Sequence, residues 1–175
     1  KSGRTFLSTL TDVDKLNDEG LFKLKDKYHL EHKGTLTRGW VIQLLFEHFA
    51  EQKLIQPTFI IEHPSETTPL CKLKRGDDEL IERFEPYING WEIGNGYSEL
   101  TDPILQKKFL EEQVERGRGG DEEAHQMDTD FIRAMEYGMP PTGGVGIGID
   151  IMVILLTNAS SIREVIFFPT MKPEN

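Results

Sequence analysis

The sequence holds a single cysteine, Cys71, in 175 residues. One thiol builds neither an internal disulfide nor a cysteine zinc cluster, and it fits a reducing compartment. Histidine is sparse as well: His29, His32, His48, His63 and His125 show no His-x-x-x-His or comparable ligand spacing. No apolar run approaches the ~20 residues that span a bilayer, and the first residues carry no signal-peptide pattern. Positive charge is in the minority, with 20 Lys and Arg against 30 Asp and Glu and a formal net charge of −10. Nucleic-acid affinity comes largely from cationic side chains on phosphates, so this chain alone is not expected to hold a nucleic acid tightly. Internal repeats are also missing. The expectation is a soluble, acidic, cytoplasmic protein, long enough for one domain with a real core.

What is present centres on one stretch, Arg83-Phe-Glu-Pro-Tyr-Ile-Asn-Gly-Trp-Glu-Ile-Gly-Asn-Gly-Tyr-Ser-Glu99. Asn89-Gly90 between two runs rich in aromatic and β-branched residues predicts a two-residue β-hairpin. With that turn, Ile88 faces Trp91, Tyr87 faces Glu92 and Glu85 faces Gly94, so Glu85, Tyr87 and Glu92 share one side. Two carboxylates ~6 Å apart repel by roughly 3 kcal/mol at an effective dielectric of about 20. Such a pair calls for a bound cation, a raised pKa or full exposure, the plain alternative being two solvated glutamates. Asn95, Tyr97 and Glu99 come next at alternate positions, and a carboxylate beside an aromatic ring suits an ammonium group. Strict alternation puts these three on the face opposite Glu92. A bulge at Gly94 or Gly96 brings both sets to one pocket, and the sequence is compatible with either arrangement.

Around this stretch, a short strand is expected at 5–10 and an amphipathic helix over 14–28, with Leu21, Phe22, Leu24 and Tyr28 as apolar contacts. Thr35 or Thr37 caps a second helix reaching about Lys53, with Val41, Leu44, Leu45 and Phe49 at helical spacing. Residues 57–61 read as a short buried strand, 63–70 as a proline-set loop and Arg75-Gly-Asp-Asp78 as a polar turn. Asp102-Pro103 starts a helix that ends near Arg116-Gly-Arg-Gly-Gly120. The acidic Gly120-Asp-Glu-Glu123 reads as a solvated loop, and 128–137 as a helix stopped by Gly138. Glycines 144, 146 and 148 alternate on a strand and strip one face of side chains, leaving room for a flat ligand or another backbone. This is no Walker loop, for Gly-Lys-Ser/Thr is lacking. Residues 152–157 are expected as an apolar core helix and 164–168 as a closing strand.

Five blocks carry a family resemblance: Arg83-Phe-Glu, Glu92-Ile-Gly-Asn-Gly-Tyr-Ser-Glu-Leu, Gly120-Asp-Glu-Glu-Ala, Ala134-Met-Glu-Tyr-Gly-Met-Pro-Pro-Thr and Gly146-Ile-Gly-Ile-Asp. In order and spacing they resemble the C-terminal part of the catalytic domain of class II lysyl-tRNA synthetases, clearly from about Gln56 to Pro173. The segment His63-Pro-Ser-Glu-Thr-Thr-Pro-Leu70 resembles the family's Pro-x-Glu-x-Ser-Pro-Leu, with Thr68 in the serine place. The resemblance implies an α+β fold, an antiparallel sheet flanked by helices, as one partial catalytic domain over 1–175. Residues 1–55 would be a helical insertion region and 56–175 the sheet with the metal and lysine hairpin and the ATP-site strand. It implies a lysine–tRNA ligase that activates lysine with ATP and transfers it to tRNA(Lys), with Mg2+ as cofactor and a homodimer as the full-length form. By position, Glu85 and Glu92 resemble the magnesium-binding pair and Asn95, Tyr97 and Glu99 the lysine-recognition set, with Glu99 facing the ammonium. Gly144, Gly146, Gly148 and Asp150 resemble the ATP-site strand, with the glycines as a floor under the adenine. Catalysis in such a site is in-line positioning and charge neutralisation, so no residue is assigned as a nucleophile or an acid–base group.

Two departures bear on this. The family places arginine directly after Gly-Ile-Gly-Ile-Asp, where this chain has Ile151; an apolar side chain neither neutralises phosphate nor stacks a guanidinium on adenine. The family's first two signature motifs, its anticodon-binding β-barrel and some lysine contacts are expected to lie outside these 175 residues. The alternative expectation is a synthetase-like protein without ligase activity, used for lysine or nucleotide binding or for protein contact.

Overall fold

Polar caps at Asn17 and Thr37 start the two leading helices. The Asn17 side chain accepts from the Gly20 amide at 3.0 Å and begins α1, Asp18–Lys27. Thr37 accepts from Trp40 and begins α2, Arg38–Phe49. Both caps satisfy amides that have no partner inside the helix. The structure, a computed structural model, describes residues 16–32, 36–118, 125–168 and 170. The expected strand at 5–10, the first residues of the expected 14–28 helix and the Gly120-Asp-Glu-Glu123 loop lie outside them.

The second helix stops at Phe49 rather than near Lys53 and tightens into a 3₁₀ turn, Glu51–Lys53. There the Lys53 amide donates to the Ala50 carbonyl and the Leu54 amide to the Glu51 carbonyl, three residues back instead of four. The Leu54 and Ile55 carbonyls then accept from the Gly90 and Asn89 amides, each at 3.0 Å. Leu21 packs with Val41 and Leu45 between the two helices. Phe46, Ala50 and Leu54 pack instead on Tyr87, whose ring lies edge-on to Phe46 with centroids 5.8 Å apart. That second cluster seats the helical region against the strand that carries the site.

Among the described residues, seven strands make two sheets: β1 (Thr58–Ile61), β2 (Leu73–Lys74), β3 (Asp77–Ile81), β4 (Arg83–Ile88), β5 (Trp91–Glu92), β6 (Gly94–Ser98) and β7 (Gly143–Ile147). The main sheet is antiparallel in the order β1-β4-β6-β7, with β5 also on β4, while β2 and β3 form a separate hairpin. Between β6 and β7 run α3 (Pro103–Arg118) and α4 (Thr129–Glu136), joined by a cluster of Leu110, Ile132 and Met135. Asp102 accepts from the Ile104 amide and Asp128 from the Phe131 amide, as cap positions require. Gly138, at φ +109°, lies just past α4. After β7 comes α5 (Ile149–Thr157). The result is the expected α+β architecture.

Three expectations need correcting, and all for one reason. The 57–61 segment, expected to be a buried strand, is an edge strand with Phe59 61 % exposed. The apolar helix expected as core buries Ile154 alone, and its Leu156 is 82 % exposed. The closing strand at 164–168 is not formed; a 3₁₀ turn occupies Ile162–Glu164, and Phe167 and Phe168 are 94 % and 93 % exposed. Apolar and β-branched composition says that a segment is fit to be covered or paired, not that a partner is at hand.

Candidate active site

Two local devices shape the face that carries the candidate residues. The first is the turn: Asn89 and Gly90 stand at φ +57° and +75°, the two positive values that a type I′ hairpin needs. Tyr87 pairs with Glu92 and Ile88 with Trp91, as the dipeptide predicts. The second is a bulge. Between the pairs Tyr87–Glu92 and Phe84–Gly96, β4 has two residues, Glu85 and Pro86, and the returning strand has three, Ile93, Gly94 and Asn95. The extra residue reverses the parity of every later position in β6. Glu85 therefore does not face Gly94, and Asn95, Tyr97 and Glu99 are not opposite Glu92. All of them project to the side of Arg83, Glu85 and Tyr87.

Glu85 and Tyr87 are the most enclosed of the group, each 3 % exposed. Glu85 is the hub. It is ion-paired with Arg83 and accepts the Tyr87 hydroxyl at 3.0 Å. His63 Nε2 lies 3.7 Å from the same carboxylate. Burial, and then the charge of Arg83, pull the His63 imidazole down to about 4, so near neutral pH this is a contact with an uncharged ring. Glu92 stands further out. Partial burial and the neighbouring Glu85 push its carboxyl up, against the pull of Asn95 and Arg83. Glu51, from the turn after α2, joins them: burial, then Glu47, Glu92 and Glu85, raise it too. Tyr87 is pushed upward by burial and by Glu85. The face is rich in negative charge, with the guanidinium of Arg83 set into it.

Across the bulge, Asn95 pairs with Gly146 and Tyr97 with Gly144. The Glu99 amide donates to the Thr142 carbonyl at 2.9 Å. Its carboxylate lies over Gly144, where an added Cβ would fall 2.0 Å from Oε1. The strip cleared by the alternating glycines is thus partly filled by Glu99, and open space remains over Gly146, where a Cβ would meet only Asn95 Oδ1, at 3.8 Å. Gly148 ends the strand and donates to the Ile93 carbonyl at 2.9 Å. Asp150 is exposed in the first turn of α5, and Ile151 is half-buried beside Gly148. Hence the five residues of the hairpin and two of the glycines converge, while Gly148 and Asp150 sit at the end of the strand. Arg83, His63 and Glu51 carry no role in the sequence reading. Parity with Glu85 along β4 is the available signal for Arg83; the other two arrive from distant segments, with no local signature.

A family model for class II tRNA synthetases of the D, K and N type matches residues 8–172. The chain belongs to that family. Among curated relatives, a lysine–tRNA ligase of Sulfolobus acidocaldarius is 49 % identical over 173 residues, covering 95 % of this chain and 35 % of the relative. One from Clostridium novyi is 54 % identical over 159 residues, with 89 % and 31 % covered. One from Saccharolobus solfataricus is 53 % identical, with 90 % and 32 % covered. The chain thus spans about a third of the length of the relatives it matches. No helix among the described residues of this class II synthetase chain is long and apolar enough to cross a membrane.

Proposed function

We propose that this chain is the C-terminal portion of the catalytic domain of a cytoplasmic lysine–tRNA ligase, homodimeric when full-length. The observation that carries the reading is the bulge, which brings Glu85 and Glu92 to the same sheet face as Asn95, Tyr97 and Glu99. In this reading Glu99 faces the side-chain ammonium of lysine, the ring of Tyr97 adds cation–π attraction and Asn95 supplies an amide. Open space over Gly146 suits a flat base, with Gly144, Gly148 and Asp150 completing the ATP-site strand. Contact with tRNA(Lys) belongs to other parts of the full-length enzyme, consistent with the net charge of −10. Residues 1–55 are read as an insertion region, and Glu51 within it lies near enough to Glu92 and Glu85 for their charges to raise its carboxyl.

Magnesium fits the donor chemistry in part. Glu85 and Glu92 supply carboxylate oxygen, and the raised Glu92 and Glu51 carboxyls mark a negative excess that a cation relieves. Among the described residues no group of three or more His, Cys, Asp or Glu is placed to hold a metal ion. The ion would draw its remaining ligands from ATP phosphates and water, as magnesium commonly does. When bound it would neutralise phosphate charge; the chain's own residues bind, orient and exclude water around the reacting carboxylate and phosphate.

One observation favours a second reading, a synthetase-like protein without ligase activity. Ile151 puts an apolar side chain where the family carries a cation for ATP. The experiment that tests the first reading uses Mn2+ as a paramagnetic probe: relaxation of NMR signals near the hairpin is expected in the wild-type chain and weakened in Glu92→Gln. Identical relaxation in the two proteins would remove the metal assignment.

A further inference from the structure

Arg83 stands between the two halves of the site. Its place in β4 pairs it directly with Tyr97 across the ladder, and parity puts it beside Glu85. One nitrogen of its guanidinium donates to a Glu85 oxygen, and its Cζ lies over the Tyr97 ring, 5.7 Å from the centroid. The pair is largely out of solvent, the two side chains being 16 % and 4 % exposed. A buried pair of this kind has a fixed geometry, because releasing either partner strands a charge. Arg83 Nε is buried with no hydrogen-bond partner. The guanidinium is therefore oriented by a carboxylate and a ring, not by saturation of its own donors.

We propose that Arg83 is a positioning residue with two separable roles: its charge holds Glu85 in place, and its plane props the Tyr97 ring for an ammonium ligand. The inference rests on the assignment of Glu85 and Glu92 to a metal ion and of Tyr97 and Glu99 to lysine. A guanidinium performs both roles at once, whereas an ammonium is a point charge without a face.

Arg83→Lys tests this, because it keeps the charge and removes the plane. The probes are lysine, measured by calorimetry, and Mn2+, measured by paramagnetic relaxation, on the 175-residue chain. Mn2+ binding is expected to stay within about twofold while lysine weakens by about tenfold, the scale of a lost cation–π stack. The Tyr97 ring signals should shift in the ligand-free variant. Arg83→Gln removes both roles: with nothing to hold Glu85 in place, Mn2+ is expected to bind several-fold more weakly, and lysine to weaken as in Arg83→Lys. If Glu85, left unpaired, prevents Arg83→Gln from folding, Arg83→Lys decides alone. A wild-type chain that binds both probes, with Arg83→Lys leaving lysine affinity within twofold, overturns the proposal and leaves the site assignment standing. Equal losses of both probes in Arg83→Lys overturn it too, by showing a role confined to the fold. A wild-type chain that binds neither probe overturns the site assignment and the proposal together.

Discussion

His63 ties the stability of the protein to pH. Its folded value of about 4 lies below the ordinary 6.5, so on acidification the unfolded state takes up this proton first. The contribution is present above pH 6.5 and is lost as pH falls towards 4, by about 3 kcal/mol in all. Glu92 and Glu51, raised in the fold, act in the opposite sense: the folded state holds their protons better, so their repulsion is relieved on acidification. His63→Phe should therefore flatten the loss of stability between pH 6.5 and 4, as read by urea midpoints at stepped pH; curves parallel to wild type would contradict this. Ile151 is a second single-residue lever. If the strand end beside Gly148 still serves ATP, Ile151→Arg should tighten ATP binding, each tenfold gain corresponding to about 1.4 kcal/mol. Unchanged or weaker binding by calorimetry would mean that this end of the site no longer takes a nucleotide.

At the level of elements, the hairpin is legible in the sequence because its information is local. Asn89-Gly90 specifies a turn by itself, and the turn specifies the pairing of Tyr87 with Glu92. The bulge is not legible, because Gly94 and Gly96 permit straight and bulged strands alike; what selects the bulge is pairing with β4 and with β7, which returns from far along the chain. The exposed face of α5 and the missing strand at 164–168 escape a sequence reading on the same ground, since partners at long range leave no trace in a window of five residues. Helix starts at Thr37, Asp102 and Asp128 need only their neighbours, and their polar caps stand in the chain itself, whereas the first helix, expected from about residue 14, takes Asn17 as its cap. The glycine strand offers a test of its own. In Gly144→Ala the new methyl collides with the tip of Glu99, a flexible group that can swing aside. The fold should lose about 1 kcal/mol, the low end for an added methyl, while lysine affinity drops because the carboxylate is displaced. A stable variant that binds lysine like wild type would detach Glu99 from the ammonium.

At the scale of the whole molecule, the two faces of the sheet are unlike. The face away from the site carries Phe59, Ile61, Val145 and Ile147, all exposed, on edge strands at both sides. The charged face gathers the carboxylates of Glu51, Glu85 and Glu92 around one guanidinium, and offers little with which to grip a polyanion. The chain on its own is expected to fold and to give no lysine-dependent ATP–pyrophosphate exchange. If ATP binds at this strand end as proposed, Ile151 leaves its developing phosphate charge without a guanidinium there, an electrostatic contribution worth several kcal/mol in rate. Clear exchange that disappears in Glu92→Gln would show instead that these residues suffice for activation. The sheet also has an order in time. Tyr87 and Glu92 meet as soon as a two-residue turn closes, an event of microseconds, whereas Gly144 and Gly146 reach Tyr97 and Asn95 only after the chain through α3 and α4 has been laid down. During refolding the crowded carboxylates of the hairpin are thus expected to come together before the glycine strand docks beneath them, an order that pulse-labelled hydrogen exchange would read.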